Sequence, residues 1–343
     1  MKKAIVFVLN LFIMYFLSTS IASALQDAYE LRFEEDEGGV VITYCMLNKP
    51  VDQFVLPESI NGKPVIAIAS YAFSSFESAD PEYYAQEIIL PDTIQVIEDY
   101  AMNEIRNVSK IHLPQSLEDI GVHALPNGYL CTAEWYPATG NYEFNDGFII
   151  DTSTQTAIHC FSSSPHAVAI PDGIVELCDG LFAGWPLEKV LFPESLRIIG
   201  SGAFYECDQL TNLTFPGNLL VIESYAFGLC SRISKLAFPS TLLYIGEKAF
   251  HQQSLSDYGS LSELILNDGL IYIGNYCFAE HQLQTVIVPS SVVYVGEGAF
   301  ESSFKVFQKN KFLCAADVLQ HLREHVFTQW KIRLIRILKQ MGF

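Results

Sequence analysis

The stretch NLTFPGNLLVIESYAF, Asn212 to Phe227, decides how the chain is read. Leu213 and Phe215 are two apart, so in an extended segment both point to one face. With Leu210 they spell L-x-x-L-x-L. Pro216 then closes the strand, because it has no N–H to give a ladder. Leu219 and Ile222 follow, then Ala226 and Phe227, with Cys230 and Ile233 beyond. Those spacings of three and four suit a short helical or irregular return.

The phrase repeats. A proline closes an apolar triplet at Pro57, Pro91, Pro114, Pro171, Pro193, Pro216, Pro239 and Pro289, and Asn267 takes the same role once. Eleven steps beyond all but the first stands one bulky apolar residue: Met102, Leu125, Phe182, Phe204, Phe227, Phe250, Phe278 or Phe300. After Pro57 the partner is Phe73, displaced by an insertion around Asn61, Gly62, Lys63 and Pro64. A period near 23 residues means a repeat architecture. One such unit cannot bury its own apolar face, but stacked units can, with strands about 4.8 Å apart in a parallel sheet. The position two past the proline is Ser59, Thr93, Ser116, Gly173, Ser195, Asn218, Thr241, Gly269 or Ser291, the residue types a tight turn needs. The fold expected is a solenoid of stacked parallel strands with short helical or irregular returns.

One full unit reads LEKVLFPESLRIIGSGAFYEC, Leu187 to Cys207. Its strand triplet, proline, Ile-Gly and Ala-Phe recur together at fixed offsets, and the pattern resembles the BspA-like leucine-rich repeat family over roughly residues 30–303. Leu31 to Phe54 is similar to that family's opening strands. The interruption at about 126–170 contains FNDGFIIDTSTQTAIHC, where Asp146 and Gly147 read as a turn between strand-like runs, and it resembles a hairpin insert of the family. The resemblance implies a secreted or surface-exposed bacterial protein that binds macromolecules of a host or a neighbouring cell, with no shared catalytic residues to carry over.

Both ends depart from the repeat. Lys2 and Lys3, the apolar run from Ala4 to Leu17 broken by Asn10, and the small residues Ala22, Ser23 and Ala24 read as a secretory signal peptide over 1–24. Residues 304–343 place Ala315, Val318, Leu319, Leu322, Val326, Trp330, Leu334, Ile337, Leu338 and Met341 at helical spacing. That tail carries 8 Lys/Arg against Asp317 and Glu324, whereas residues 25–303 carry 10 Lys/Arg against 37 Asp/Glu. Three roles compete for the tail: a cap over the last rung, a basic helix on a membrane surface, or docking onto the acidic body. The body's charge excludes nucleic acid as a partner; membrane contact is open only to the tail.

Chemistry is sparse. Eight cysteines occur with no C-x-x-C pair. Cys207 and Cys230 are one period apart and are either buried small hydrophobes or a disulfide across stacked rungs. His159, Cys160 and His166 match neither a Cys-His nucleophile motif nor a metal-ligand spacing. No cofactor, metal or catalytic residue is expected.

The outward face of the strands is the candidate binding surface. Two before each proline stand Val55, Ile89, His112, Ala169, Leu191, Thr214, Ala237, Ile265 and Ile287; two further back stand residues such as Lys189 and Lys235. This predicts an apolar stripe flanked by mixed charge, which marks a contact surface, although strand propensity also favours Ile and Val there. Insertions at 74–86 and 251–260, which carry Tyr83, Tyr84 and Tyr258, are expected at one edge of the solenoid, where repeat proteins often bind. The function expected is a non-catalytic, adhesin-like binding protein for an extracellular protein or glycan. The alternative is a structural, self-associating protein of the cell envelope.

Overall fold

The computed structural model describes residues 29–73, 85–103, 105, 108–129, 131–252, 261–281, 283–300 and the backbone of 306–308. The segment read as a signal peptide, Tyr83, Tyr84 and Tyr258 of the inserts, and the tail beyond residue 308 lie outside the described residues. The chain divides into two compact units. Unit 1 comprises residues 1–153 and 158–164, and unit 2 comprises residues 154–157 and 165–343.

Most described repeats contain two short strands rather than one; the rung of Asn212 keeps only an isolated bridge to Lys235 in place of the first. The first is the triplet before the proline, as in Lys189–Leu191 and Lys235–Ala237. The second lies five and six residues past the proline, as in Ile198–Ile199, Val221–Ile222 and Tyr244–Ile245. The return path after the proline was expected to be helical or irregular. It is instead turn, strand and turn, and no helix occurs among the described residues, so none there is long and apolar enough to cross a membrane. The dipeptides at the second strand explain this: Val96–Ile97, Ile198–Ile199, Val221–Ile222 and Tyr294–Val295 are all β-branched or aromatic.

In unit 1 the first strands Val51–Val55, Ala85–Ile89, Lys110–His112 and Thr132–Glu134 form one parallel sheet. The second strands Val96–Ile97 and Asp119–Ile120 extend another sheet, opened by Tyr29–Glu35 antiparallel to Val40–Leu47. Between Tyr142–Asn145 and Phe148–Asp151 the chain reverses at Asp146 (φ 48°) and Gly147 (φ 83°). Both are left-handed, the backbone a tight type I′ hairpin requires. The core of this unit includes Phe54, Phe73, Ile88, Met102, Ile111, Leu117 and Trp135, all buried.

In unit 2 the second strands run as a parallel ladder from Glu176–Leu177 through Ile198–Ile199, Val221–Ile222, Tyr244–Ile245 and Tyr272–Ile273 to Tyr294–Val295. The first strands pair in parallel as Ala167–Ala169 with Lys189–Leu191, Lys235–Ala237 with Glu263–Ile265, and Val286–Val288 with Val306–Gln308. That last pair corrects a boundary. A parallel strand continues past residue 303, into the segment read from sequence as a helical tail.

The column eleven past each proline is the spine of unit 2. Rings of Phe182, Phe204, Phe227, Phe250, Phe278 and Phe300 stack in order, with neighbouring centroids 5.2, 4.9, 5.2, 5.5 and 5.5 Å apart. Backbone bonds fix the same register: Phe204 N donates to Ala226 O and Phe227 N to Ala249 O. The Ala-Phe pair is therefore one device. The phenylalanine fills the core, and the alanine before it supplies a carbonyl to the rung below without a bulky side chain between rungs.

The turn residues two past the proline also act between rungs. Ser195 Oγ donates to Ile174 O at 2.7 Å, Thr241 Oγ1 to Leu219 O at 2.8 Å, and Asn218 Nδ2 to Glu194 O at 3.1 Å. Asn267, in the proline's place, donates its amide to Phe238 O. Sequence reasoning assigned these side chains to their own turns; stacking gives them the neighbouring turn's carbonyls instead.

Candidate binding surface

The outward face follows from strand alternation. In Ala167–Ala169, Lys189–Leu191 and Lys235–Ala237 the outer two residues are exposed and the middle one is buried. In unit 2 this leaves Leu191, Ile265 and Ile287 with 53%, 45% and 55% of their surface open to water. Lys189 and Lys235 are exposed on the same side of their strands, Thr214 is exposed near the isolated bridge of Asn212 with Lys235, and Lys235 Nζ lies 3.0 Å from Glu263 Oε2. The apolar stripe is not continuous. Ala237 stands level with Ile265, and Thr214 occupies the equivalent place on its rung.

In unit 1 the same face turns polar. Register sets Val55 beside Ile89 and Ile89 beside His112, with Glu134 next in the row. The row behind holds Gln53, Glu87, Lys110 and Thr132. Val55, Ile89 and His112 are half-buried. Gln53 Nε2 donates to Glu87 Oε2 at 2.7 Å. His112 bridges two carboxylates, with Nε2 2.6 Å from Glu87 and Nδ1 3.1 Å from Glu134. Lys110 Nζ lies 2.5 Å from Glu134 and 3.9 Å from Glu87. The hydrogen bond from His112, then that from Gln53, holds the Glu87 carboxyl below the usual carboxylate range. Lys110 does the same for Glu134. His112 is marked in the sequence by Pro114 two residues on, but Glu134 is not, because Pro137 stands three residues past it and breaks the repeat's offset.

Of the cysteine and histidine candidates, Cys160 and His159 are held away from water. Burial raises the Cys160 thiol far above its ordinary range and pushes the His159 imidazole down to about 3. The first therefore stays protonated and the second neutral, the reverse of an activated nucleophile. His166 is exposed and approaches Glu188 at 3.7 Å. No cluster suited to a metal ion occurs among the described residues. Cys207 and Cys230 are free thiols, so no bridge joins them. Each S–H reaches a carbonyl of the adjacent rung, Phe182 O and Phe204 O, at 3.1 Å.

The sequence model of the BspA type leucine rich repeat region matches residues 43–135, 154–258 and 255–341, in six copies. The last match extends beyond residue 303, as does the final parallel strand. No curated protein matches the chain. Among solved structures, the chain is similar to a leucine rich cell surface protein of Faecalibacterium prausnitzii. The two share 15% identity over 82% of this chain and 93% of that one, with a TM-score of 0.40. It is also similar to a leucine-rich repeat protein of Bacteroides ovatus, at 21% identity over 80% and 79% of the two chains and a TM-score of 0.42. The pneumococcal vaccine antigen PcpA matches at 16% identity over 85% and 89%, with a TM-score of 0.38. With the repeat profile covering most of its length, this chain belongs to the BspA type leucine-rich repeat family.

Proposed function

We propose that the chain is exported by its N-terminal signal and works outside the cell as a non-catalytic, adhesin-like binding protein. It presents the outward faces of its first strands to an extracellular protein or glycan. The observation that carries this reading is the exposure of Leu191, Ile265 and Ile287, each about half open to water, beside inward neighbours that are buried at Val190, Val286 and Val288 and half-buried at Leu264. Strand propensity favours isoleucine at such positions, but three large aliphatic side chains exposed on outward faces, Leu191 among them, favour contact with a partner. Lysines on the same face add polar contacts around them. Affinity on such a surface comes from many modest contacts on a stiff support.

The test is capture of ligands from host-cell surface extract by residues 25–343, compared with a Leu191→Glu/Ile265→Glu double variant. Both sites are exposed, so the variant keeps its fold. Loss of the captured partner supports the reading, and unchanged capture removes it. Size-exclusion at two concentrations addresses self-association: a stable dimer that the double change dissolves would favour the envelope-assembly alternative.

A further inference from the structure

The last rung of unit 2 is sheltered in one place and open in another. Inside the spine each ring has a neighbour on both faces. Phe300 ends the row of stacked rings and has Phe278 on one face at 5.5 Å, yet only 7% of its surface meets water. On the first-strand side, Val286–Val288 is paired by Val306–Gln308. The second-strand side differs. Tyr294 stacks on Tyr272 at 4.7 Å and leaves 37% of its surface in water. Val295 stands where Ile245 and Ile273 are fully buried on earlier rungs, and it is only half-buried. The end of the spine is therefore shielded, and the shield stops short of the second-strand ladder.

The chain that follows this rung has the chemistry of such a shield. Residues 261–300 contain no lysine or arginine but hold Glu263, Asp268, Glu280 and Glu297. Glu263 pairs with Lys235; no ion pair among the described residues engages Glu280 or Glu297. Residues 309–343 carry seven Lys/Arg against Asp317 and Glu324. Within them Leu322, Val326, Trp330, Leu334, Ile337 and Met341 are three or four apart, the spacing of one helical face. The repeat profile itself runs on to residue 341. A segment tethered directly to the rung meets it at high effective concentration, so modest apolar and ionic contacts suffice to hold it there. An uncovered solenoid end, by contrast, leaves apolar surface in water.

We infer that residues 309–343 dock on the last rung of unit 2, with their apolar face over Phe300 and their basic residues toward Glu280 and Glu297. The occupant of this end is the chain's own C-terminal segment, which closes the spine to water and to a second copy. The inference goes beyond the binding function proposed above and does not depend on it.

The experiment uses residues 25–343 and two readouts. The first is amide hydrogen exchange. Ala299 N donates to Gly296 O at 3.3 Å and Phe278 N to Ala299 O at 2.8 Å, so both amides report on the last rung. Leu334→Asp, on the apolar face of the segment, is expected to speed exchange at both by at least about tenfold and to leave Phe204, deep in the spine, unchanged. Unchanged exchange at Ala299 overturns the inference. An equal rise at Phe204 overturns it as well, because the substitution would then act on the whole fold. The second readout needs no variant. Carbodiimide coupling, run on a mixture of unlabelled and heavy-isotope-labelled chains, is expected to join Lys331 or Lys339 to Glu280 or Glu297 within one chain. Coupling only between labelled and unlabelled chains overturns the inference, making this end a contact between copies. Loss of the coupling with sedimentation on phosphatidylglycerol vesicles also overturns it, making the segment a membrane-surface helix.

Discussion

His112 and Glu87 are joined across adjacent parallel strands, Nε2 to Oε1, at 2.6 Å. On the other side His112 Nδ1 lies 3.1 Å from Glu134, so one imidazole ties three rungs together. Glu87 accepts from both His112 and Gln53, and this favours its ionised form. A carboxyl whose folded-state pKa is depressed contributes stability above its unfolded pKa and loses it as pH falls through the folded value. The loss is therefore expected on the acid side of the ordinary carboxylate range, with neutral pH unaffected. Carboxyl-carbon NMR should show Glu87 titrating below that range, and His112→Ala should move it back toward the ordinary value. An unchanged midpoint in the variant would separate the two groups.

The stack of Phe204 on Phe227 sets a second expectation. Both rings are fully buried, with planes 3° apart. Phe227→Ala removes the middle of the spine and should cost about 3–5 kcal/mol. Phe227→Leu should cost clearly less, since Met102 and Leu125 fill the same repeat position in unit 1 without a ring. Urea denaturation of both variants checks the order. Equal losses would mean that aliphatic volume cannot stand in for the ring and that the aromatic stack itself carries the stability.

Much of this architecture was legible because stacking forces identity at fixed offsets. The column from Phe182 to Phe300 and the left-handed turn at Asp146 and Gly147 both left plain marks in the sequence. The second strand was harder to see. Val221 and Ile222 pair over only two residues, too short for alternation to show, and Leu219 and Ile222 three apart imitate a helical face. The polar network around His112 was hidden for another reason. Successive members lie 34, 25 and 22 residues apart, and only register brings Gln53, Glu87, His112 and Glu134 together.

The thiols of Cys207 and Cys230 should be inert in the native chain. Burial raises Cys207 to about 12 and carries Cys230 well above its ordinary range, so neither ionises near neutrality. Each also donates its proton to a neighbouring carbonyl. A thiol reagent at pH 8 should label both sites only after unfolding in guanidinium. Rapid native labelling, or a peptide mass two hydrogens short across Cys207 and Cys230, would contradict the free buried thiols.

Gly246 offers a sharper steric test. It follows the second strand Tyr244–Ile245, and a Cβ added there would lie 2.4 Å from Ser224 N and 2.6 Å from Glu223 C in the preceding rung. Those are backbone atoms, which cannot step aside without moving the rung. Gly246→Ala should therefore destabilise by about 1–3 kcal/mol or more, as overpacking does. Gly217 is the control. Its added Cβ would meet only the Glu194 carboxylate at 3.5 Å, and its φ is not positive. Gly217→Ala should be neutral, or stabilising by about 0.4–1 kcal/mol through the lower entropy of the unfolded chain. Thermal unfolding of the two variants side by side distinguishes a steric demand from a general cost of replacing glycine. A matched loss at both positions would show that close rung-to-rung approach is not what reserves Gly246 for glycine.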